Sequence, residues 1–172
     1  MKELKHIYLN LKRFDVPKEF GGVNSIAAPD QWGNYIVENT QDQLSKYSKD
    51  EVEFVMYFPE AHIINGVSAL KEDANLQIGC QSVYRDDTAT GGNFGAFTTN
   101  RTGNSMKALG CTSTIIGHCE ERNDKAGILS EAGVTDVDAV NRLLNKEIKA
   151  ATAAGLNVLY CIGEKSEEQA TW

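Results

Sequence analysis

Residues 115–122 read Ile-Ile-Gly-His-Cys-Glu-Glu-Arg. An apolar, β-branched run meets a glycine, presents His118, and passes at once into charge at Glu120, Glu121 and Arg122. A histidine at the carboxyl end of a strand, before a turn that opens a helix, is placed to act as an acid, a base or a hydrogen-bond donor. The helix amino terminus disfavours an imidazolium, so the ring is expected to be neutral and able to donate to a carbonyl. The plainer alternative is a histidine that only satisfies local hydrogen bonds. Other constellations carry less. His6, His62 and His118 show no metal-ligand spacing with one another or with the cysteines, so neither metal nor cofactor is expected. His62, in Pro59-Glu60-Ala61-His62, reads as a loop or helix-start residue. Ser82 and Ser113 lack the GxSxG setting of a serine hydrolase. Gly91-Gly92-Asn93 lacks the lysine and the strand-to-helix setting of a phosphate-binding loop.

The elements that would position His118 alternate along the chain. Strand-like runs are His6–Asn10, Val52–Phe58, Leu76–Cys80, Ser113–Gly117 and Asn157–Ile162. Most are short and apolar, as expected of strands buried on both faces of a parallel sheet. Helical patterns lie between them. Asp30 is placed to cap a helix through about Lys46. Asn104 to Leu109 ends at Gly110, and Asp136 to Ala154 carries the apolar stripe Val140, Leu143, Leu144 and Ile148 before Gly155. Strand–helix alternation with short turns implies right-handed βαβ units and an α/β sheet. Two connections are long: Arg13 to Pro29, and the polar, glycine-rich Arg85 to Phe94. Both follow strands and so stand at carboxyl ends, where such folds place ligands.

Composition bounds the function. The chain has 172 residues, 41% hydrophobic, and a net charge of −7 from 17 basic and 24 acidic side chains. That is too apolar for a disordered chain, and long enough for a substantial core. With no basic stripe, neither nucleic acid nor an anionic membrane surface is an expected partner. No apolar run approaches the roughly 20 residues of a membrane span. The opening MKELKHIYLNLKRFD has no signal-peptide apolar region. Cys80, Cys111, Cys119 and Cys161 form no CxxC pair, which suggests reduced thiols and a cytoplasmic location.

Four segments, in order, resemble the triosephosphate isomerase family. Gly117-His118-Cys119-Glu120-Glu121-Arg122 resembles its Gly-His-Ser-Glu-Arg-Arg motif. Cys80-Gln81-Ser82 followed by Gly95-Ala96-Phe97-Thr98 resembles its Ala-Gln-Asn strand end and Gly-Ala-Phe-Thr loop. Cys161-Ile162-Gly163-Glu164 matches its Cys-Ile-Gly-Glu strand end, and Asn10-Leu11-Lys12 its opening Asn-x-Lys. The resemblance implies a parallel (β/α) barrel, with about five of its eight βα units in residues 1–172.

It also implies roles. Lys12 corresponds to the lysine whose ammonium faces the developing enediolate oxygen, and Asn10 to its polar neighbour in substrate binding. His118 corresponds to the neutral histidine that polarises the carbonyl and shuttles protons, and Glu120 to the glutamate that pairs with the lysine. Thr98 corresponds to the loop threonine that reaches the neighbouring subunit's active site, which implies a homodimer. The implied reaction interconverts glyceraldehyde 3-phosphate and dihydroxyacetone phosphate, a small phosphorylated sugar pair, and needs a carboxylate base, electrophiles and a phosphate grip. The family's Tyr-Glu-Pro-Val-Trp base segment, its lid and its phosphate-binding glycine turns do not occur here. Ser166-Glu167-Glu168-Gln169 has the form of a capping box close to Trp172, so the chain reads as a barrel truncated at its carboxyl end. Cys119 replaces a capping serine with a weak donor, and Glu121 reverses an arginine's charge, so a structural ion pair is expected to be missing. The long connections favour, as an alternative, an isomerase of a longer sugar phosphate such as a tetrulose phosphate. A non-catalytic partial barrel that binds a partner through open strand edges is the other alternative.

Overall fold

The computed structural model describes residues 3–136 and 138–162. Within them five strands run β1 Lys5–Asn10, β2 Val52–Phe58, β3 Gln77–Gln81, β4 Ser113–Ile116 and β5 Asn157–Tyr160. The helices are α1 Trp32–Leu44, α2 Ile63–Ala69, α3 Gly103–Ala108, α4 Cys119–Glu131 and α5 Ala139–Ala153. The strands form one parallel sheet in the order β1-β2-β3-β4-β5. Sequential order with no reversal is the arrangement of a (β/α) barrel; a doubly wound sheet would change direction at a switch point. The five described strands and their helices form part of such a barrel.

Strand alternation divides the apolar residues between two faces. The helix-side face holds the larger core, where Phe58, Ile78 and Ile116 meet Trp32, Val37, Ile63, Met106 and Leu144. The inner face carries a small cluster of Val55, Tyr57 and Ile115. Below it Glu53 accepts hydrogen bonds from the Tyr8 hydroxyl and from Gln77, with His6 alongside. β2, β3 and β4 are buried as expected of parallel strands. β1 is not: Ile7 is 51% and Leu9 48% exposed, because among the described residues β1 pairs on one side only. β5, paired only with β4, is likewise half-exposed.

Several boundaries differ from the sequence expectation. Asp30 does not cap α1. It lies in a 3-10 turn, Pro29–Gln31, whose residue Gln31 occupies the cap position without a side-chain bond, because Pro29 starts the turn first. α3 begins one residue earlier than expected and is capped by Thr102, whose hydroxyl accepts the Ser105 N–H. α2 was not legible as a helix, since IINGVSA is too short to show a period. α5 starts at Ala139, after the Asp136 expected to open it. Gly163, Glu164 and the capping box from Ser166 to Gln169 lie outside the described residues.

Candidate active site

β1 ends in a sharp turn. Leu11 points into the helix-side core, so Asn10 and Lys12 flank it on the open face. The Asn10 Oδ1 accepts the Lys12 N–H at 2.9 Å, closing an Asx-type turn. Lys12 takes φ 48°, a left-handed conformation uncommon for a long side chain and held only where surroundings impose it. Gln81, the last residue of β3, supplies that constraint. Its Nε2 donates to the Lys12 carbonyl at 2.9 Å, to Asn10 Oδ1 at 3.2 Å and to the Tyr57 carbonyl at 3.2 Å.

β4 is followed by Gly117, whose φ is 82° and where a Cβ would stand 2.9 Å from the Cys161 carbonyl. Only glycine fits both the conformation and the approach of β5. His118 then caps α4: its Nδ1 accepts the Glu120 N–H at 3.3 Å. The cap is thus the histidine, and Cys119 is the first helical residue with no capping task, so the serine-to-cysteine change costs the helix nothing here. Glu120 Oε2 also lies 3.4 Å from the same nitrogen. The N–H contact needs Nδ1 unprotonated and the carboxylate contact needs it protonated. The helix amino terminus favours the first, leaving the ring proton on Nε2.

Lys12 Nζ meets Glu120 Oε1 at 3.5 Å, joining the ends of β1 and β4. With the glutamate 65% exposed, the pair is worth at most about 1 kcal/mol in stability, so its consequence is orientation of the ammonium. Arg122 fixes the β4–β5 side. Its guanidinium donates to the Gly117 carbonyl at 2.8 Å, the Cys161 carbonyl at 3.0 Å and the Tyr160 hydroxyl at 2.7 Å. The ion pair expected to be missing at Glu121 is present in another form: Lys125, one turn along α4, bonds it at 2.8 Å.

These groups line a cavity of about 160 Å³ bounded by Asn10, Lys12, Arg13, Gln81, Ser82, Ile115, His118, Glu120 and Glu121. Lys12, Asn10, His118 and Glu120 stand together on its lining. Thr98, which the resemblance assigns to a neighbouring subunit, is exposed on the 82–102 connection and does not line the cavity. Gln81, Glu121 and Arg122 stand in quoted motifs, but nothing local revealed that they tie neighbouring strand ends together. A larger cleft of about 840 Å³ lies elsewhere, against β1, lined by Ile7, Leu44, Tyr47, Val52 and Phe54 together with Glu3, Lys5 and Glu51. Among the described residues no group of three or more His, Cys, Asp or Glu could hold a metal ion. No helix among them is long and apolar enough to cross a membrane.

Comparison with known proteins agrees with this geometry. Residues 31–171 match the family model described as triosephosphate isomerase. The chain is similar to the triosephosphate isomerase of Dictyoglomus thermophilum, 32% identical over 74% of this chain and 43% of the relative. It is similar also to that of Geobacter metallireducens, 32% identical over 69% of this chain and 40% of the relative. The crystal structure of triosephosphate isomerase from Bartonella henselae shares the fold, with a TM-score of 0.63 and 22% identity over 97% of this chain and 55% of that one. The chain thus spans about half the length of the relatives it matches. With the family model covering most of its residues and the strand ends arranged as described, the chain belongs to the triosephosphate isomerase family.

Proposed function

We propose that these five βα units supply the electrophilic half of an aldose–ketose isomerase acting on glyceraldehyde 3-phosphate and dihydroxyacetone phosphate. The observation that carries this reading is the convergence of Lys12 and Asn10 from the end of β1 with His118 from the end of β4, with Glu120 bridging lysine and histidine. Lys12 presents a positive charge where the enediolate oxygen would develop. His118, whose Nδ1 accepts the Glu120 N–H, would donate from Nε2 to the carbonyl and pass protons between the two oxygens. A neutral histidine in that role is the known example set by triosephosphate isomerase itself. Fixed donors of this kind stabilise charge as it forms, because they need no reorganisation. The proton-abstracting carboxylate and the phosphate grip are assigned to barrel units outside residues 1–172, and Thr98 to a contact with a second subunit.

The test has two arms. The purified chain should show no measurable triose phosphate interconversion, since a missing general base alone forfeits about 10²–10⁴-fold. In a complete barrel containing these units, Lys12→Ala should lower kcat/KM by about 10²–10³-fold, the loss of one charge-stabilising donor. His118→Gln should lower kcat more than it raises KM. Wild-type kinetics in Lys12→Ala would overturn the reading.

A second reading, a longer substrate such as a tetrulose phosphate, is favoured by one feature. Arg13 lines both the catalytic cavity and an adjoining one of about 570 Å³, and its guanidinium is oriented by Asp15 at 2.8 Å. The ratio of kcat/KM values for triose and tetrulose phosphates separates the two.

A further inference from the structure

The first turn of α4 carries a second carboxylate that the proposed chemistry does not use. The Glu121 side chain is 14% exposed. Its Oε1 accepts from the Ser82 hydroxyl and from Lys125 Nζ, and its Oε2 accepts the Gly117 N–H at 2.6 Å. Ser82, just past β3, has φ 71°, and Gly117, just before His118, has φ 82°. One carboxylate therefore ties two neighbouring strand ends at the residues where each turns left-handed. Lys125 also reaches Glu147 of α5 at 3.0 Å. That glutamate is 5% exposed, and its Oε2 has no hydrogen-bond partner. The charged groups around the cluster are Glu121 and Lys125 from α4 and Glu147 from α5, with Arg122 on the far side of Gly117 binding its carbonyl.

We propose that Glu121 is a positioning residue for His118, acting through the Gly117 N–H and the Ser82 hydroxyl, and that the Lys125–Glu147 pair sets how firmly it holds. The importance of His118 rests on the isomerase reading; the clamp itself rests on geometry alone. An ionised carboxylate accepting from N–H and O–H donors in a partly buried site makes short, strong bonds and fixes both donors. Burial pushes the Glu121 carboxyl up, but bonds from Lys125, Ser82 and Gly117 outweigh this and hold it below the usual range. Burial, then the charge of Glu121, pushes Glu147 up to about 7, against the pull of Lys125. While Glu147 is protonated, Lys125 neutralises Glu121 alone. Once it ionises, two carboxylates divide one ammonium and a net negative charge is left inside. Because the folded pKa of Glu147 is raised, the stability it contributes is full below its ordinary range near 4.5 and is lost as pH rises through about 7. The clamp is accordingly tightest on the acid side of neutrality.

Nuclear magnetic resonance on the full, isotope-labelled chain tests this without any turnover. The Glu147 carboxyl carbon should titrate with a midpoint near 7, and Gly117 protection from hydrogen exchange should fall across the same range in the wild type but not in Glu147→Gln. At fixed pH, Glu121→Ala should speed Gly117 hydrogen exchange by about tenfold or more and displace the His118 ring resonances. Glu121→Gln, which keeps the shape and one acceptor, should give a smaller change in the same direction and serves if the alanine variant does not fold. Unchanged Gly117 exchange and His118 resonances in Glu121→Gln would overturn the proposal, as would a Glu147 carboxyl that titrates in its ordinary range near 4.5. Failure of the Lys12→Ala kinetics would sink the isomerase reading and leave these results standing.

Discussion

The connection after β1, residues 11–31, and the connection after β3, residues 82–102, both leave the carboxyl end of a strand and both carry adjacent glycines. The first is built into the interior. Asp15 and His62 are both buried, and the His62 Nε2 lies 3.0 Å from the Asp15 carboxylate. The same oxygen accepts from Arg13, while Asn24, also buried, donates to the carbonyls of Asp15 and Ala27. The His62 ring packs 5.0 Å from Trp32, linking the connection to the helix-side core. The second connection is organised mainly by its own neighbours. Asp87 accepts the N–H groups of Thr88 and Asn104, Asn93 donates to the Asp87 carbonyl, and Tyr84 N–H meets the Arg101 carbonyl at its base. Phe94 is 93% exposed with φ 54°. Length and glycine content therefore say little about order. Whether a long segment is fixed depends on whether buried polar partners wait for it elsewhere in the fold.

The contrast gives graded expectations. Asp15→Ala should have the largest effect, about 3 kcal/mol of lost stability in urea unfolding, because it strips a buried histidine of its partner and frees Arg13. A loss below about 1 kcal/mol would place the first connection in the same class as the second. Asp87→Ala removes the carboxylate that accepts two backbone N–H groups, one half-buried and one exposed, and should cost about 1 kcal/mol by the same measurement. Phe94→Ser should change monomer stability by less than about 0.5 kcal/mol, since its ring has no interior to leave. A cost above about 1 kcal/mol would mean the ring is buried in solution, and sedimentation at rising concentration would show whether a second copy covers it. Limited proteolysis sharpens the comparison from another side: cleavage should fall within residues 85–96 before residues 13–24.

For the site, the difference matters through Arg13. Asp15 orients its guanidinium at the cavity edge, and His62, 47 residues away, orients Asp15. A residue read from sequence as an ordinary loop or helix start thus stands behind a group that lines the candidate cavity.

Much of the architecture was legible because its causes are local. Short apolar or β-branched runs marked all five strands within a few residues, and the stripe of Val140, Leu144 and Ile148 marked α5. Lys12, Asn10, His118 and Glu120 could be named because their motifs resemble those of a known family, and parallel strands place such strand ends at one end of the sheet. What the sequence could not determine was every choice between competing short-range partners. Thr102 and His118 cap helices where Asp30 does not, since capping depends on the turn preceding each helix. The reversed charge at Glu121 looked like a lost ion pair, and only the packing of α4 against α5 showed Lys125 set between two glutamates. Asp15 with His62, and Gln81 with Asn10 and Lys12, are joined across 47 or more residues. Backbone pattern follows from neighbours in the chain, whereas a buried polar group takes whichever partner the finished fold brings within 3 Å or so, and that is decided by tertiary structure alone.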